Sequence, residues 1–264
     1  MRRVTPPDIT RRTAEKGRDL LMTKKRLVAF GATLAVAAGV LATSAFALVG
    51  GTPDGNQHSY VGALATHDGR LCSGTALSAR VMVTAAHCFN AGEVVAISTA
   101  EQFHGPQAIG VVIPHPGWVA TSGGGNSGSD VNDVAVVVVV QGSIPGPYGA
   151  LPPSIGYDDS LPNNQPIENL GYGVQDATTL QGAGSRVVAD EKIIPGGGKA
   201  GADFLKISGG NTCFGDSGGP NLQAGTNIVL AINAYGPSAS CNAVSYSQRL
   251  DTPSVYGFIS HFLG

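Results

Sequence analysis

Short apolar runs alternate with polar, glycine-rich segments along the chain from residue 61 onward. Glycine, proline, asparagine and serine separate the runs, which is the pattern of many short strands joined by turns. One run is almost entirely valine, and an unbroken β-branched run favours a buried strand over a helix. The pattern therefore predicts a fold made mainly of β-strands. The runs are Val61–Ala65, Ala76–Ala86, Val94–Ser98, Ala108–Ile113, Val134–Val140 (the valine run), Ile167–Leu170, Ser185–Val188, Phe204–Ile207, Ile228–Ala234 and Val244–Leu250.

The C-terminus departs from this pattern and predicts a short helix. Thr252-Pro253 is a typical helix start, because proline is tolerated in the first helical turn. Tyr256 and Ile259 then follow at helical spacing, and the helix is expected to continue through Phe262. Earlier in the chain, the stretch Gln141–Pro162 contains five prolines and predicts a connector between two halves.

The N-terminal 47 residues have the composition of a secretory signal peptide. The first 26 residues carry nine of the 16 Lys and Arg residues, and an uncharged apolar stretch follows them. This stretch ends in small residues through Ala45-Phe46-Ala47, so basic, apolar and A-x-A segments occur in the order of a signal. We therefore predict cleavage before Leu48 and secretion of residues 48–264.

Two alternatives concern the same end of the chain. Met22 precedes a second basic segment and would itself begin a signal of normal length, in which case residues 1–21 are not translated. The uncharged segment Leu27–Gly50 is also long enough to cross a bilayer as a retained anchor. Its content of alanine, glycine, serine and threonine favours cleavage over retention.

Without this leader, residues 48–264 carry 7 basic and 15 acidic residues, a net charge of about −8. An acidic surface argues against nucleic acid as a partner. An even number of cysteines in an exported chain favours disulfides, and three pairings of the four are possible. No Cys-x-x-Cys or His-x-x-x-His spacing indicates a metal site. The cysteines are Cys72, Cys88, Cys213 and Cys241.

The segment Cys213–Pro220 carries the strongest chemical signal in the chain. Its sequence, Cys-Phe-Gly-Asp-Ser-Gly-Gly-Pro, predicts a tight exposed loop rather than a strand or helix. Such a loop presents the Ser217 hydroxyl while it aims backbone N–H groups at one point. Acyl transfer needs that combination of a nucleophile and donors for the oxyanion.

A serine hydroxyl needs a base, and two upstream segments supply the remaining groups. His87 stands in Thr-Ala-Ala-His-Cys, and Asp133 directly precedes the valine run. Asp130 is the competing carboxylate, but it does not adjoin that run. The order His, Asp, Ser along the chain is one of the convergent arrangements of a catalytic triad.

Together these residues resemble those of a secreted trypsin-like serine protease with the chymotrypsin fold, of the bacterial type with two disulfides. The resemblance implies an all-β fold of two packed, antiparallel six-stranded β-barrels with a short C-terminal helix. Further matching segments spread over most of residues 48–264. They are Cys72-Ser73-Gly74-Thr75, His115-Pro116, Leu170-Gly171-Tyr172-Gly173 and Ala234-Tyr235-Gly236.

The resemblance also implies a role for each candidate residue. His87 would act as the general base, Asp133 would orient it, and Ser217 would be the nucleophile. The backbone amides of Gly215 and Ser217 would form the oxyanion hole.

The same resemblance places the N-terminal barrel, with the base and its carboxylate, in residues 48–150. The C-terminal barrel, with the nucleophile and the specificity pocket, is expected in residues 151–264. A free α-ammonium at Leu48 is expected to pair with Asp216, because a buried charge is tolerated only when its partner is present. The two implied disulfides are Cys72–Cys88 and Cys213–Cys241.

The primary specificity pocket is implied around the residue six positions before the nucleophile. That residue is Asn211, where a trypsin has aspartate, so cleavage after Lys or Arg is disfavoured and an uncharged residue is expected. A valine on one wall is expected to narrow the pocket. The implied substrate-binding residues are Asn211, Phe214, Ala234, Tyr235, Gly236 and the wall residue Val244.

The sequence thus predicts a secreted serine endopeptidase that acts on protein or peptide substrates through an acyl-enzyme, without a cofactor or metal. Glu93 and Glu101 bracket a loop that binds calcium in some relatives, but further oxygen ligands are not evident in it. We expect a monomer, a proteinaceous inhibitor as a further candidate partner, no nucleic acid and, after signal cleavage, no membrane contact. Two other functions fit the same residues: a non-catalytic homologue that binds proteins, and an esterase with the same triad.

Overall fold

A computed structural model describes residues 48–119, 131–196, 198–237 and 240–264. The predicted signal peptide and the competing carboxylate Asp130 lie outside the described residues. Within the described ranges, no helix is long and apolar enough to cross a bilayer.

Strands dominate the described part of the chain, as predicted. One α-helix, α1, spans Pro253–Leu263, close to the predicted C-terminal helix, and short 3-10 turns cover Ala86–Cys88, Tyr157–Ser160 and Gly198–Asp203. The strands are β1 (Thr52–Pro53), β2 (Val61–Ala65), β3 (Leu71–Ala76), β4 (Val81–Thr84), β5 (Val94–Ser98), β6 (Ala108–Pro114), β7 (Ala135–Gly142), β8 (Pro166–Gly171), β9 (Val187–Ile194), β10 (Phe204–Ile207), β11 (Pro220–Gln223), β12 (Val229–Tyr235) and β13 (Ser245–Arg249).

The first barrel closes in the strand order β2-β3-β4-β7-β6-β5, with every neighbouring pair antiparallel. Most of the valine run forms β7, which pairs with β4 on one side and with β6 on the other. The run is buried from Val134 through Val137 and again at Val139, whereas its last residue, Val140, is 59 % exposed. The apolar run Ala76–Ala86 is divided between two strands, because the Leu77 and Ser78 N–H groups turn back to the Val81 carbonyl.

The second barrel has the order β9-β10-β13-β12-β11-β8 and closes through pairing of β8 with β9. The short strand β1 adds to the edge of β9. Two closed six-stranded antiparallel barrels and a C-terminal helix confirm the predicted fold class. Strand β9 starts later and runs further than the predicted run Ser185–Val188, because its exposed residues Asp190 and Lys192 interrupt the apolar pattern.

A buried polar network joins the segment before β2, which contains Asp54, to both barrels. Arg186, which is fully buried, donates from Nε to the Asp54 carboxylate at 2.8 Å. Its Nη1 donates to the Val61 and Thr99 carbonyls at 2.9 and 2.8 Å and to the Tyr172 hydroxyl at 2.8 Å. A guanidinium with this many partners can remain charged without contact with water.

Candidate active site

Two strands of the first barrel bring His87 and Asp133 together. His87 lies on the 3-10 turn after β4, Asp133 lies two residues before β7, and β4 pairs with β7. Asp133 Oδ2 lies 2.7 Å from His87 Nδ1, and Asp133 Oδ1 accepts the His87 backbone N–H at 2.9 Å. Because Asp133 is only 2 % exposed, its carboxylate is shielded from water and holds both the ring and the backbone of the histidine.

Ser217 meets the other ring nitrogen of the same histidine from the second barrel. Its Oγ lies 2.9 Å from His87 Nε2, so carboxylate, imidazole and hydroxyl form one continuous chain of hydrogen bonds. The loop that carries Ser217 needs glycine at Gly218, where φ is 78°. A Cβ there would lie 2.2 Å from the Thr84 hydroxyl, so a larger residue would push the loop away from β4.

The conformation of this loop depends on a fully buried carboxylate, Asp216. Its Oδ1 accepts the Gly173 N–H at 2.8 Å and its Oδ2 accepts the Cys213 N–H at 2.9 Å. Among the described residues, the N–H groups of Gly215 and Ser217 have no acceptor, which leaves both amides available to a ligand. The structure also contains the disulfides Cys72–Cys88 and Cys213–Cys241, the pairing that the resemblance implies.

Known proteins share both the sequence pattern and the fold. The family model described as Trypsin matches residues 48–257. The chain belongs to the trypsin family. A solved structure titled "HL collagenase structure at 1.7 Å resolution" matches with a TM-score of 0.63 and 19 % identity, over 79 % of this chain and 95 % of that chain. At this identity the likeness shows the shared fold alone, and a search of curated proteins found no match.

In this trypsin-family chain, Asn211 binds the N-terminal segment. Its side-chain amide nitrogen, assigned from the surrounding acceptors, donates to the Val49 carbonyl at 2.8 Å and the Gly209 carbonyl at 3.2 Å. Its backbone carbonyl accepts the Val49 N–H at 2.9 Å. The residue predicted as the pocket floor therefore also holds the chain next to Leu48, the predicted new N-terminus.

The other predicted pocket residues lie on or next to three segments of the second barrel. Ala234 and Tyr235 end β12, and the ring of Tyr235 stacks on Tyr246 with 4.9 Å between centroids. Phe214 is 55 % exposed beside the nucleophile, which suits a side chain that contacts substrate. Gly236 follows β12 and Val244 precedes β13, and both are half-buried.

Some polar residues that hold the site were missed in the sequence. The Gln248 side chain, on β13 of the second barrel, accepts the Asp133 N–H at 3.0 Å. Asn233 on β12 donates from Nδ2 to the Asp216 carbonyl at 3.2 Å. Their positions within apolar runs resembled ordinary outward-facing strand residues, yet both are fully buried. Only the tertiary structure reveals what they hold: Gln248 bonds across the two barrels, and Asn233 bonds within the second barrel.

Glu191, on the inward face of β9, is another buried group that the sequence pattern concealed. Its Oε2 accepts the Asn169 side-chain amide at 2.8 Å, whereas its buried Oε1 has no hydrogen-bond partner among the described residues. Burial raises the pKa of Glu191 to about 7, although the Asn169 amide and the nearby Asn211 backbone partly oppose the shift. Burial also raises the pKa of Asp216 to about 7, and the nearby charge of Glu191 adds to that shift.

Glu191→Gln is expected to stabilise the protein that has not been cut before Leu48 by about 3 kcal/mol at pH 8, and to have little effect near pH 4. The raised pKa means that the folded state favours the protonated acid, so wild type loses stability as the pH rises from about 4.5 through about 7. Glutamine removes this loss because it cannot ionise. The measurement is urea unfolding from pH 4 to 8, in a Ser217→Ala background that prevents self-digestion. A stability difference that does not change with pH would contradict this account.

Proposed function

We propose that this protein is an endopeptidase that hydrolyses peptide bonds through His87, Asp133 and Ser217. Membership of the trypsin family supports a serine protease in general. The observation that supports these particular residues is the unbroken chain of hydrogen bonds, with 2.7 Å between carboxylate and imidazole and 2.9 Å between imidazole and hydroxyl. Both distances lie within the range needed for proton transfer between a nucleophile and its base.

In the proposed reaction, Ser217 Oγ bonds to the carbonyl carbon of the scissile peptide while its proton passes to His87 Nε2. The carbonyl oxygen becomes an oxyanion, and the free N–H groups of Gly215 and Ser217 donate to it. When the C–N bond breaks, His87 returns the proton to the leaving amine. A water then attacks the acyl-enzyme by the same route and restores the serine. Asp133 remains ionised and stabilises the imidazolium.

We further propose that the residue before the scissile bond is uncharged. Residues 209–215, which precede the nucleophile, contain no acidic side chain that could pair with a buried Lys or Arg of the substrate. The carboxylate of Glu191 is only 4 % exposed, and its Oε2 is already paired with the Asn169 side-chain amide. The half-buried Val244 on the other wall favours side chains of small or medium size.

A panel of peptides that differ in the residue before the cleaved bond tests both proposals. The wild-type protein is expected to cleave after Ala, Val, Leu or Phe at least ~10-fold faster than after Arg. The matched variant Ser217→Ala is expected to cleave none of them. Faster cleavage after Arg would contradict the proposed specificity, and absence of any peptide cleavage by wild type would favour the non-catalytic homologue. Ester hydrolysis without peptide hydrolysis would indicate an esterase.

We also propose that the protein is exported and cut before Leu48. Disulfides are typical of exported proteins. Leu48 is fully buried against Val187 and Ala189, and Asp216 has no cationic partner among the described residues. A cut would create an α-ammonium beside the segment that Asn211 holds, and this cation would lower the raised pKa of Asp216.

The remaining proposals concern organisation and partners. We place the boundary between the two halves at residues 150 and 151, which lie between the last strand of the first barrel and the first strand of the closed second barrel. The protein acts as a monomer on protein or peptide substrates, and a proteinaceous inhibitor would bind at the candidate active site.

A further inference from the structure

Ser73 links the first barrel to the loop that carries the nucleophile. It lies on β3 and is fully buried. Its N–H donates to the Ser217 carbonyl at 2.9 Å, and its Oγ donates to the Gly215 carbonyl at 2.8 Å. The same Oγ accepts the Tyr172 N–H at 2.9 Å, so the hydroxyl is satisfied both as donor and as acceptor.

The two residues that Ser73 holds are the two whose amides form the proposed oxyanion hole. Gly215 has a φ of 97°, and glycine is the residue whose backbone rotates most freely. Each peptide unit is planar, so a hydrogen bond to a carbonyl restrains the whole unit. The unit before Gly215 is restrained where the Phe214 carbonyl accepts the Val174 N–H at 2.8 Å, and the unit after it is restrained by the Ser73 hydroxyl.

We propose that Ser73 is a positioning residue for the oxyanion hole. Its hydroxyl holds the Gly215–Asp216 peptide unit, and the Val174 N–H holds the preceding unit, which contains the Gly215 N–H. Together the two bonds fix the backbone on both sides of the Gly215 Cα, so that the Gly215 N–H stays directed at the developing oxyanion. Preorganised donors stabilise the transition state because they need no rearrangement when the charge forms. This inference rests on the proposed function, and it adds that the first barrel supplies a restraint on the oxyanion hole as well as the base.

The same strand provides a matched control. Thr75 lies two residues further along β3, on the same face, and is also fully buried. Within the described part of the chain, its hydroxyl has no hydrogen-bond partner. Thr75→Val therefore removes a buried hydroxyl from β3 without removing a restraint on the loop, whereas Ser73→Ala removes the restraint itself.

The test compares these variants with wild type, with concentrations corrected by active-site titration and folding checked by near-UV circular dichroism. For Ser73→Ala, kcat for peptide hydrolysis is expected to fall about 10-fold, while KM changes less than about twofold. A peptide aldehyde, whose hemiacetal with Ser217 places an oxygen in the hole, should bind about 10-fold more weakly. The corresponding peptide alcohol, which forms no hemiacetal, should bind Ser73→Ala with the same affinity as it binds wild type. Thr75→Val should match wild type in all four measurements.

Ser73→Gly is measured in parallel as a second variant that lacks the hydroxyl. Like Ser73→Ala, it keeps the backbone N–H bond to the Ser217 carbonyl, so the test does not depend on the folding of one variant. Wild-type kcat and aldehyde affinity in either folded variant would overturn the proposal, as would equal weakening of aldehyde and alcohol. A wild-type protein that cleaves no peptide and binds no aldehyde would instead refute the proposed function. The two failures are therefore distinguishable.

Discussion

Replacing His87 with alanine is expected to lower kcat for peptide hydrolysis by about 10⁶-fold, and adding Ser217→Ala to that variant is expected to lower it no further. The reason is that base and nucleophile act as one unit. Without an acceptor 2.9 Å from its Oγ, Ser217 cannot lose its proton during attack. Without the hydroxyl, the imidazole has no proton to accept. Either loss alone therefore abolishes the covalent route.

The measurement is single-turnover hydrolysis of a peptide that wild type cleaves. Mass spectrometry monitors the cleavage products over days. His67→Ala is the control, because His67 is exposed in the turn between β2 and β3, and this variant should retain wild-type kcat. Losses that multiply in the double variant would show that the two residues act independently. That result, or substantial activity in His87→Ala, would contradict the proposed mechanism.

Replacing Arg186 with leucine is expected to lower the free energy of unfolding by about 3–5 kcal/mol, the largest stability effect that the structure indicates. The side chain and its partner Asp54 are both fully buried, and their ion pair spans 2.8 Å. Burial disfavours the Asp54 carboxylate, but hydrogen bonds from His58 and Arg186 outweigh burial and lower its pKa to about 2. The variant removes the guanidinium from this carboxylate, which keeps only its hydrogen bonds from His58, and leaves the Thr99 carbonyl without the donor it has in wild type.

Urea unfolding at pH 7 measures this effect, with Ser217→Ala as the background for every variant. Arg80→Leu is the control, because Arg80 is exposed, and its loss should change the free energy of unfolding by less than about 0.5 kcal/mol. The m-value should stay the same, which would show that the folded state keeps its compactness. A loss below about 1 kcal/mol for Arg186→Leu would mean that the buried network contributes little to folding.

Local patterns predicted the elements well where each element depends on its own residues. The helix α1 begins at Pro253, as predicted from Thr252-Pro253, because a helix start is a property of a few consecutive residues. Strand β9 was predicted less completely. Its inward face carries Glu191, and a buried carboxylate breaks the apolar pattern by which inward positions are recognised. The donor to the Glu191 carboxylate is the Asn169 side chain on β8, a contact between separate segments that no local pattern contains.

In the candidate site, likewise, the sequence indicated the types of the reacting residues but not their arrangement in space. A histidine, an aspartate and a glycine-flanked serine in a recognisable order indicated the chemistry, and the resemblance supplied their roles. His87 and Asp133 are 46 positions apart, and His87 and Ser217 are 130 apart, yet both pairs lie within hydrogen-bonding distance. The roles stay predictions until the variants are measured. Their proximity follows from closure of two barrels.

The amino-acid sequence by itself determined the strand-rich composition, the C-terminal helix and the residue types available for acyl transfer. Only the tertiary structure decided which distant groups bond to one another. Ser73 bonds to the Gly215 carbonyl, 142 positions away, and Arg186 bonds to the Asp54 carboxylate, 132 positions away. The physical reason is that periodicity reports which face of an element avoids water, a local property. A hydrogen bond between distant segments depends instead on strand register and barrel closure, which the whole chain sets together.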